Sequence, residues 1–467
     1  MARRSRLLMF LLALAIVVNA CQTPADAQPE PAQTTPSSTD TARSSPAATG
    51  AAADPSRETA TGTPAVEASA RPDAETRELE DHPVNPDQIV SANAMGLDLL
   101  KRLRAASEPG TNLFISPVSV ALALGMAANG ASGETQEGIR AALHLQGWDE
   151  KAANQAFAGL GQALDGDDLG VELDIANALW LRQGLPFRTT FLDTVARYFG
   201  ARVSGLDFSS SEAADVMNGW VADQTRGRIT EIVTPPIDPL AILFIMNAVY
   251  FKGDWETPFD ESLTSEEAFT RADGAQVQAL MMSRYGSWEY ARSGDYQAVR
   301  LPYSGGRLSM IAVLPADGTS LDAWLDDLDA SGWQALVGAL TRKDGTVSLP
   351  RFTLSFEARL NDALAAMGME RAFIPGEADF SRIHEMDQPT WIDGVLHKSF
   401  VEVNEQGTEA AAVTSIELRA QAAAPEEPFS FLADRPFLYV LQDDSTGAIL
   451  FVGINHDPTE EAARVSR

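Results

Sequence analysis

Groups able to do covalent chemistry are few in this chain, and they are scattered. There is one cysteine, Cys21, in 467 residues, so no thiol nucleophile and no cysteine metal cluster can be built from the rest. The five histidines, His82, His144, His384, His397 and His456, lie far apart and form neither HExxH nor a helical two-histidine clamp. There is no Gly-x-Ser-x-Gly elbow, no Ser-x-x-Lys pair and no Gly-x-x-x-x-Gly-Lys phosphate loop. The only lysines are Lys101, Lys151, Lys252, Lys343 and Lys398. These absences point away from an enzyme and imply neither a metal nor a cofactor.

The segment that stands out is conformational rather than catalytic. Asn404–Phe429 reads NEQGTEAAAVTSIELRAQAAAPEEPF, which suits a solvated alanine-rich helix, a linker or a strand. Taken by twos from Thr408, one set is Thr408, Ala410, Ala412, Thr414, Ile416, Leu418 and Ala420. The other is Glu409, Ala411, Val413, Ser415, Glu417, Arg419 and Gln421. The first set is small at its start and apolar apart from two threonines; the second is mostly polar. That alternation is expected of a strand laid on a core that has room for only small side chains.

The elements around this segment divide the chain. Arg3, Arg4 and Arg6 precede an unbroken apolar stretch from Leu7 to Val18, too short to span a bilayer and suited to a signal peptide over residues 1–21. Val18-Asn19-Ala20-Cys21 resembles the bacterial lipobox, which would make Cys21 a lipidated N-terminus. Residues 22–86 are rich in Ala, Pro, Thr and Ser and read as a disordered tether. Residues 87–459 read as one domain, with a tail at 460–467. The formal charge of −30 excludes nucleic acid and leaves a membrane accessible only through a lipid anchor. The protein is expected to be exported, either anchored at a bacterial cell surface or periplasmic membrane or secreted.

Within the domain, apolar residues recur at helical spacing in Ser91–Ala106, Pro117–Asn129, Glu134–Leu145 and Asp149–Leu164, with Ser116 as a cap before Pro117. Strand patterns follow: Val171–Trp180, the continuous apolar run Leu240–Phe251, a pair within Val299–Pro315, and a hairpin of Pro436–Leu441 with Ala448–Gly453. Helices and mostly antiparallel strands in separate blocks imply an α+β fold.

Several stretches, in order, resemble the serpins, the serine protease inhibitor family. Glu402–Ala412 (EVNEQGTEAAA) is similar to the family's hinge, and Phe431–Leu441 (FLADRPFLYVL) to its signature after the reactive loop. Asn112–Ser119 (NLFISPVS), Asn247–Trp255 (NAVYFKGDW), Met367–Phe373 (MGMERAF) and Phe451–Gly453 (FVG) also fall in family order. The resemblance implies a serpin fold, three β-sheets with eight or nine helices and an exposed reactive-centre loop. It implies a suicide substrate of serine proteases: the cleaved loop inserts into the central sheet and traps the acyl-enzyme. The alternatives are a non-inhibitory binding module on the serpin fold and an inhibitor of papain-like cysteine proteases.

Site residues carry over on the same terms. The hinge is Glu405, Gly407, Thr408, Glu409, Ala410, Ala411, Ala412 and Thr414. The reactive bond, counted from the hinge glycine, is Gln421–Ala422, with Arg419 and Ala420 as the alternative reactive residues. The small neutral residues around it suggest an elastase-like or subtilisin-like protease as the partner. Ser116, Ser119, Asn218 and His397 match the polar cluster that controls sheet opening, and Trp255 the tryptophan at the top of that sheet. Helix Glu150–Leu164 carries a single lysine, Lys151, so no heparin-like activator is expected. The protein is expected to be a monomer.

Overall fold

The structure is a computed structural model that describes residues 82–164, 169–408 and 427–465. Contacts divide the chain into residues 1–65 and 66–467, and every described residue lies in the second unit.

Nine α-helices occur among the described residues. α1 (Pro86–Ala106) starts before the expected Ser91, because Asn85 caps it: its side chain accepts from the backbone N–H groups of Asp87 and Gln88, with Pro86 in the first turn. All of α2 (Pro117–Gly130) is buried, and the Ser116 side chain accepts the Ser119 N–H at its start. α3 (Gly133–Ala142), α4 (Glu150–Leu164), α5 (Thr189–Phe199) and α6 (Ala213–Gln224) follow. α7 (Leu321–Asp327), α8 (Ala330–Gly338) and α9 (Asn361–Leu364) are shorter.

The strands, in chain order, begin with β1 (Leu113–Ile115), β2 (Glu172–Arg182), β3 (Arg202–Leu206) and β4 (Leu243–Asp254). β5 (Ser265–Thr270), β6 (Gln276–Arg292), β7 (Tyr296–Pro302) and β8 (Leu308–Pro315) come next. Then follow β9 (Thr341–Pro350), β10 (Phe352–Arg359), β11 (Ile392–Val403) and β12 (Gly407–Thr408). The last are β13 (Phe429–Leu432), β14 (Phe437–Asp443), β15 (Ala448–Asn455) and β16 (Ala462–Val465).

Hydrogen bonding joins these strands into two sheets where three were expected. The reason is β6, a 17-residue strand that pairs with β5 and β9 along its length and with β7 at its far end. One unbroken strand thus links what would otherwise be separate sheets.

The other sheet has the order β16-β10-β11-β12-β4-β2-β3 and positions the site. At its centre, β4 explains why Leu240–Phe251 reads as a continuous apolar run. Leu243, Ile245, Val249 and Phe251 face the large core that includes α2. Phe244, Met246 and Ala248 face a second core built by Met217, Trp220 and Val221 of α6. A strand buried on both faces cannot alternate.

Candidate functional site

The site is where β4 and β11 part. From Leu243 to Val249, β4 pairs in parallel with Ile392–Ser399 of β11. Above that, β12 stands between them: Thr408 pairs with Val403 on one side and Gly253 on the other, and Gly407 pairs with Asp254. Two residues of the alternating segment are therefore already a strand of the central sheet.

The turn into β12 is tight. Asn404 Oδ1 accepts the N–H groups of Gln406 and Gly407 at 3.0 and 3.2 Å, and the Asn404 N–H donates to Gly407 O at 2.8 Å. At Gly407 the requirement for glycine is close approach, since φ is 159°, nearly extended. A Cβ there would lie 2.2 Å from the Gly253 carbonyl oxygen and 2.6 Å from Asp254 Cα, both backbone atoms that cannot swing aside.

A polar and aromatic clasp holds this turn. Trp255 Nε1 donates to Asn404 O at 3.0 Å, and the backbone N–H groups of Trp255 and Phe259 donate to Gln406 O and Glu405 O. Buried Trp255 stacks on buried Tyr303 at 4.7 Å, and the Tyr303 hydroxyl is hydrogen-bonded to Thr408 Oγ1 at 2.7 Å. Burial pushes the Tyr303 hydroxyl far up, so it stays un-ionised. Glu405 is only 1% exposed. Burial pushes its carboxyl up, but the Thr264 hydroxyl at 2.7 Å and the Arg351 guanidinium outweigh that and hold it below the ordinary value.

Beneath the paired part of β4 and β11 lies a polar cluster. His397 is fully buried opposite Asn247. Its Nε2 accepts the Ser116 N–H at 3.3 Å, so the neutral ring carries its proton on Nδ1 and donates to Asn247 Oδ1 at 2.6 Å. Asn247 Nδ2 donates to Ser119 Oγ and to Asn177 Oδ1, the latter at 2.7 Å. Ser399 Oγ donates to Phe114 O at 2.6 Å, tying β11 to β1.

The structure brings Ser116, Ser119 and His397 together but puts Asn218 elsewhere. Asn218, on α6, accepts from the N–H groups of Ile232 and Val233 and donates to Val233 O, which ties a loop to its own helix. The asparagine of the cluster is Asn247. Its sequence signal was one amide in the apolar run LAILFIMNAVYF. Tyr303, Arg351 and Thr264 gave no comparable signal, because nothing local marks them as neighbours of the hinge.

Of the expected hinge, Glu405, Gly407 and Thr408 are described, whereas Glu409, Ala410, Ala411, Ala412 and Thr414 lie outside the described residues. So do Arg419, Ala420, Gln421, Ala422 and Cys21. Among the described residues, no group of three or more His, Cys, Asp or Glu side chains could hold a metal, and no helix is long and apolar enough to cross a membrane.

Two outcomes follow from the clasp and the cluster. Arg351→Ala leaves the buried Glu405 carboxylate without its cation. Because Arg351 is partly exposed, the expected loss is about 1–2 kcal/mol of stability, read by urea unfolding at pH 7.5. Burial holds His397 at about 3, while the unfolded chain takes up a proton below about pH 6.5. The stability due to a neutral His397 is therefore complete above pH 6.5 and falls toward pH 3, with a slope approaching about 1.4 kcal/mol per pH unit. In urea titrations between pH 7.5 and 4.5, His397→Gln should show a shallower pH dependence than the parent.

Comparisons with known proteins bear on the fold that carries this arrangement. The family model described as Serpin (serine protease inhibitor) matches residues 90–458. A serpin-like protein of Thermococcus kodakarensis is 37% identical over 377 residues, covering 80% of this chain and 86% of its own. Neuroserpin of Homo sapiens is 32% identical over 374 residues, covering 77% of this chain and 89% of its own. The native state of the thermophilic serpin tengpin superposes with a TM-score of 0.74 at 29% identity, covering 81% of this chain and 96% of that one.

Proposed function

This chain belongs to the serpin family, protease inhibitors rather than enzymes, and we propose that it is a suicide-substrate inhibitor of serine proteases. The observation that carries the reading is the placement of Gly407 and Thr408 as a strand between β4 and β11. The segment that follows has only to continue along two ladders that have already begun.

If the segment continued both ladders residue by residue from Thr408, Glu409 would fall between Lys252 and Glu402 and Thr414 between Asn247 and His397. Asn247 and His397 already face each other in the β4–β11 pairing, so insertion needs separation of the strands and no change of register. The same face receives Ala410, Ala412 and Thr414, side chains small enough to enter an opening gap. Separation must break the Asn247–His397 hydrogen bond, which makes the polar cluster the lock on sheet opening.

An inserted strand of about ten residues replaces one ladder by two. Each added hydrogen bond contributes about 0.5–1.5 kcal/mol net, and the buried apolar face adds about 25 cal/mol per Å². The sum is on the order of 10–20 kcal/mol, comparable with the roughly 5–15 kcal/mol that holds a protease folded. Cleavage removes the covalent restraint on the segment, and insertion then distorts the acylated protease before the ester is hydrolysed.

We assign the reactive bond to Gln421–Ala422, in a stretch of small neutral residues suited to an elastase-like or subtilisin-like enzyme. Cys21 would carry a lipid, and the stretch that follows it, which ends before the Asn85 cap of α1 and so is shorter than the 22–86 expected, would tether the inhibitory domain to the membrane of an exporting cell. Labelling with a fatty-acid analogue should mark the exported protein and be lost in Cys21→Ser; equal labelling of the two would remove the anchor.

The decisive experiment incubates the purified protein with a panel of serine proteases. Denaturant-resistant covalent complexes are expected, with sequencing of the released fragment beginning at Ala422. Cleavage in the loop by a protease that is not trapped should raise the melting temperature. Gly407→Trp or Thr408→Arg should turn inhibitor into substrate. Cleavage without complexes and without a thermal shift would instead identify a binding module.

A further inference from the structure

β16 lies beyond residue 458, where the family match ends, yet it is built into the sheet that positions the site. It runs parallel to β10 at the end of that sheet, pairing Ser355 with Ala462, Phe356 with Ala463, Glu357 with Arg464 and Ala358 with Val465. The Ser355 N–H donates to Glu461 O at 2.8 Å. Ala463 and Val465 are buried in the core that also takes Phe356 and Ala358. Arg464 pairs at 2.9 Å with Glu357, which pairs at 3.0 Å with Lys398 of β11, so one row of charges crosses three strands. The chain is fixed before it reaches β16. Asn112 Oδ1 accepts the N–H groups of His456 and Asp457, Asn112 Nδ2 donates to Asp457 O, and Arg271 pairs with the Asp457 carboxylate at 3.0 Å.

Spelling and direction both liken this strand to the hinge segment. Glu461-Ala462-Ala463-Arg464-Val465 differs from Glu409-Ala410-Ala411-Ala412-Val413 at one position of five. β12 is antiparallel to β11; β16 is parallel to β10, which is itself antiparallel to β11. The two strands therefore run the same way in one sheet. Without β16, the β10 edge would offer an unpaired Ser355 N–H beside the apolar Phe356 and Ala358, and such an edge invites a strand from another chain. Ala410 and Ala412 of a second copy are small enough to take the places of Ala463 and Val465, one residue out of step with the shared spelling.

We propose that residues 459–465 cap the β10 edge, and that the site they cover accepts the 409–413 stretch of a second copy of this chain when the cap is lost. Tethering decides the competition. A strand joined to its site by a short connection acts at an effective concentration on the order of millimolar, far above that of a second copy in dilute solution. Arg464 sharpens the choice, because it brings a cation to Glu357 and the 409–413 stretch has none to offer. The cap concerns association between copies, so it stands or falls separately from the trapping of a protease.

The test follows molecular mass by light scattering over a range of concentrations. The full-length chain should keep the mass of one chain. A chain lacking 459–467 should at least double that mass as concentration rises, and so should Val465→Asp, which keeps the tail but places a charge in the core. Where the shortened chain does not fold, Val465→Asp carries the same arms. An excess of a synthetic peptide of residues 459–467 should return the associated variant to one-chain mass. Ala410→Pro with Ala412→Pro in the same background should do so too, because a stretch with two prolines cannot pair as a strand. One-chain mass for both the shortened chain and Val465→Asp would overturn the cap. Association that persists with the peptide or with both prolines would overturn it as well, by showing that general loss of stability rather than a vacated strand site drives it.

Discussion

The structure turns on one geometric fact: β4 and β11 are hydrogen-bonded neighbours for half their length and are held apart at the top by two residues of another segment. A sheet can be closed or open at a given row, with no stable half-way state, because an unpaired buried peptide group costs about as much as a lost hydrogen bond. Gly407 and Thr408 occupy the open rows and satisfy both edges. Everything else in the site either holds those two residues in place or keeps the rows below them shut.

The two jobs use different chemistry. At the top, where the chain must turn sharply, the clasp is made of backbone groups, a stacked indole and phenol, and one buried carboxylate matched by a guanidinium. Lower down, where the strands meet, the link is a neutral histidine and an asparagine bridging to the capped start of α2. A buried polar group must keep its partners, so neither can be loosened piecemeal. Because α2 is buried all round, it cannot follow a moving strand, and the cluster at its start holds the sheet against a fixed support.

The second sheet has a quieter part. Its long strand β6 reaches from beside the hinge to the face next to β13, so both ends of the 409–426 segment are anchored to the same framework. Arg351, which joins β9 to β10, donates its backbone N–H to Leu280 O on β6 and its guanidinium to Glu405. Both ends of the segment are thus tied to one common scaffold.

Local pattern determined a good deal of this protein. The 3.6-residue periodicity, the Ser116 cap, the doubly buried run through β4 and the small-residue face beginning at Thr408 are all legible without coordinates, since each depends on residues near one another in the chain. The family resemblance rests on the same local stretches. Tertiary structure decided the partnerships. Asn218 and Asn247 are equally plausible members of a polar cluster from their neighbours in sequence, and only the pairing of β4 with β11 puts Asn247 against His397. Likewise, the reason for glycine at position 407 is the backbone of Gly253 and Asp254 passing within a Cβ's reach, a long-range contact. Sequence periodicity reports which face of an element is apolar, but hydrogen bonds between elements depend on register and crossing, and those are set only when the whole core packs.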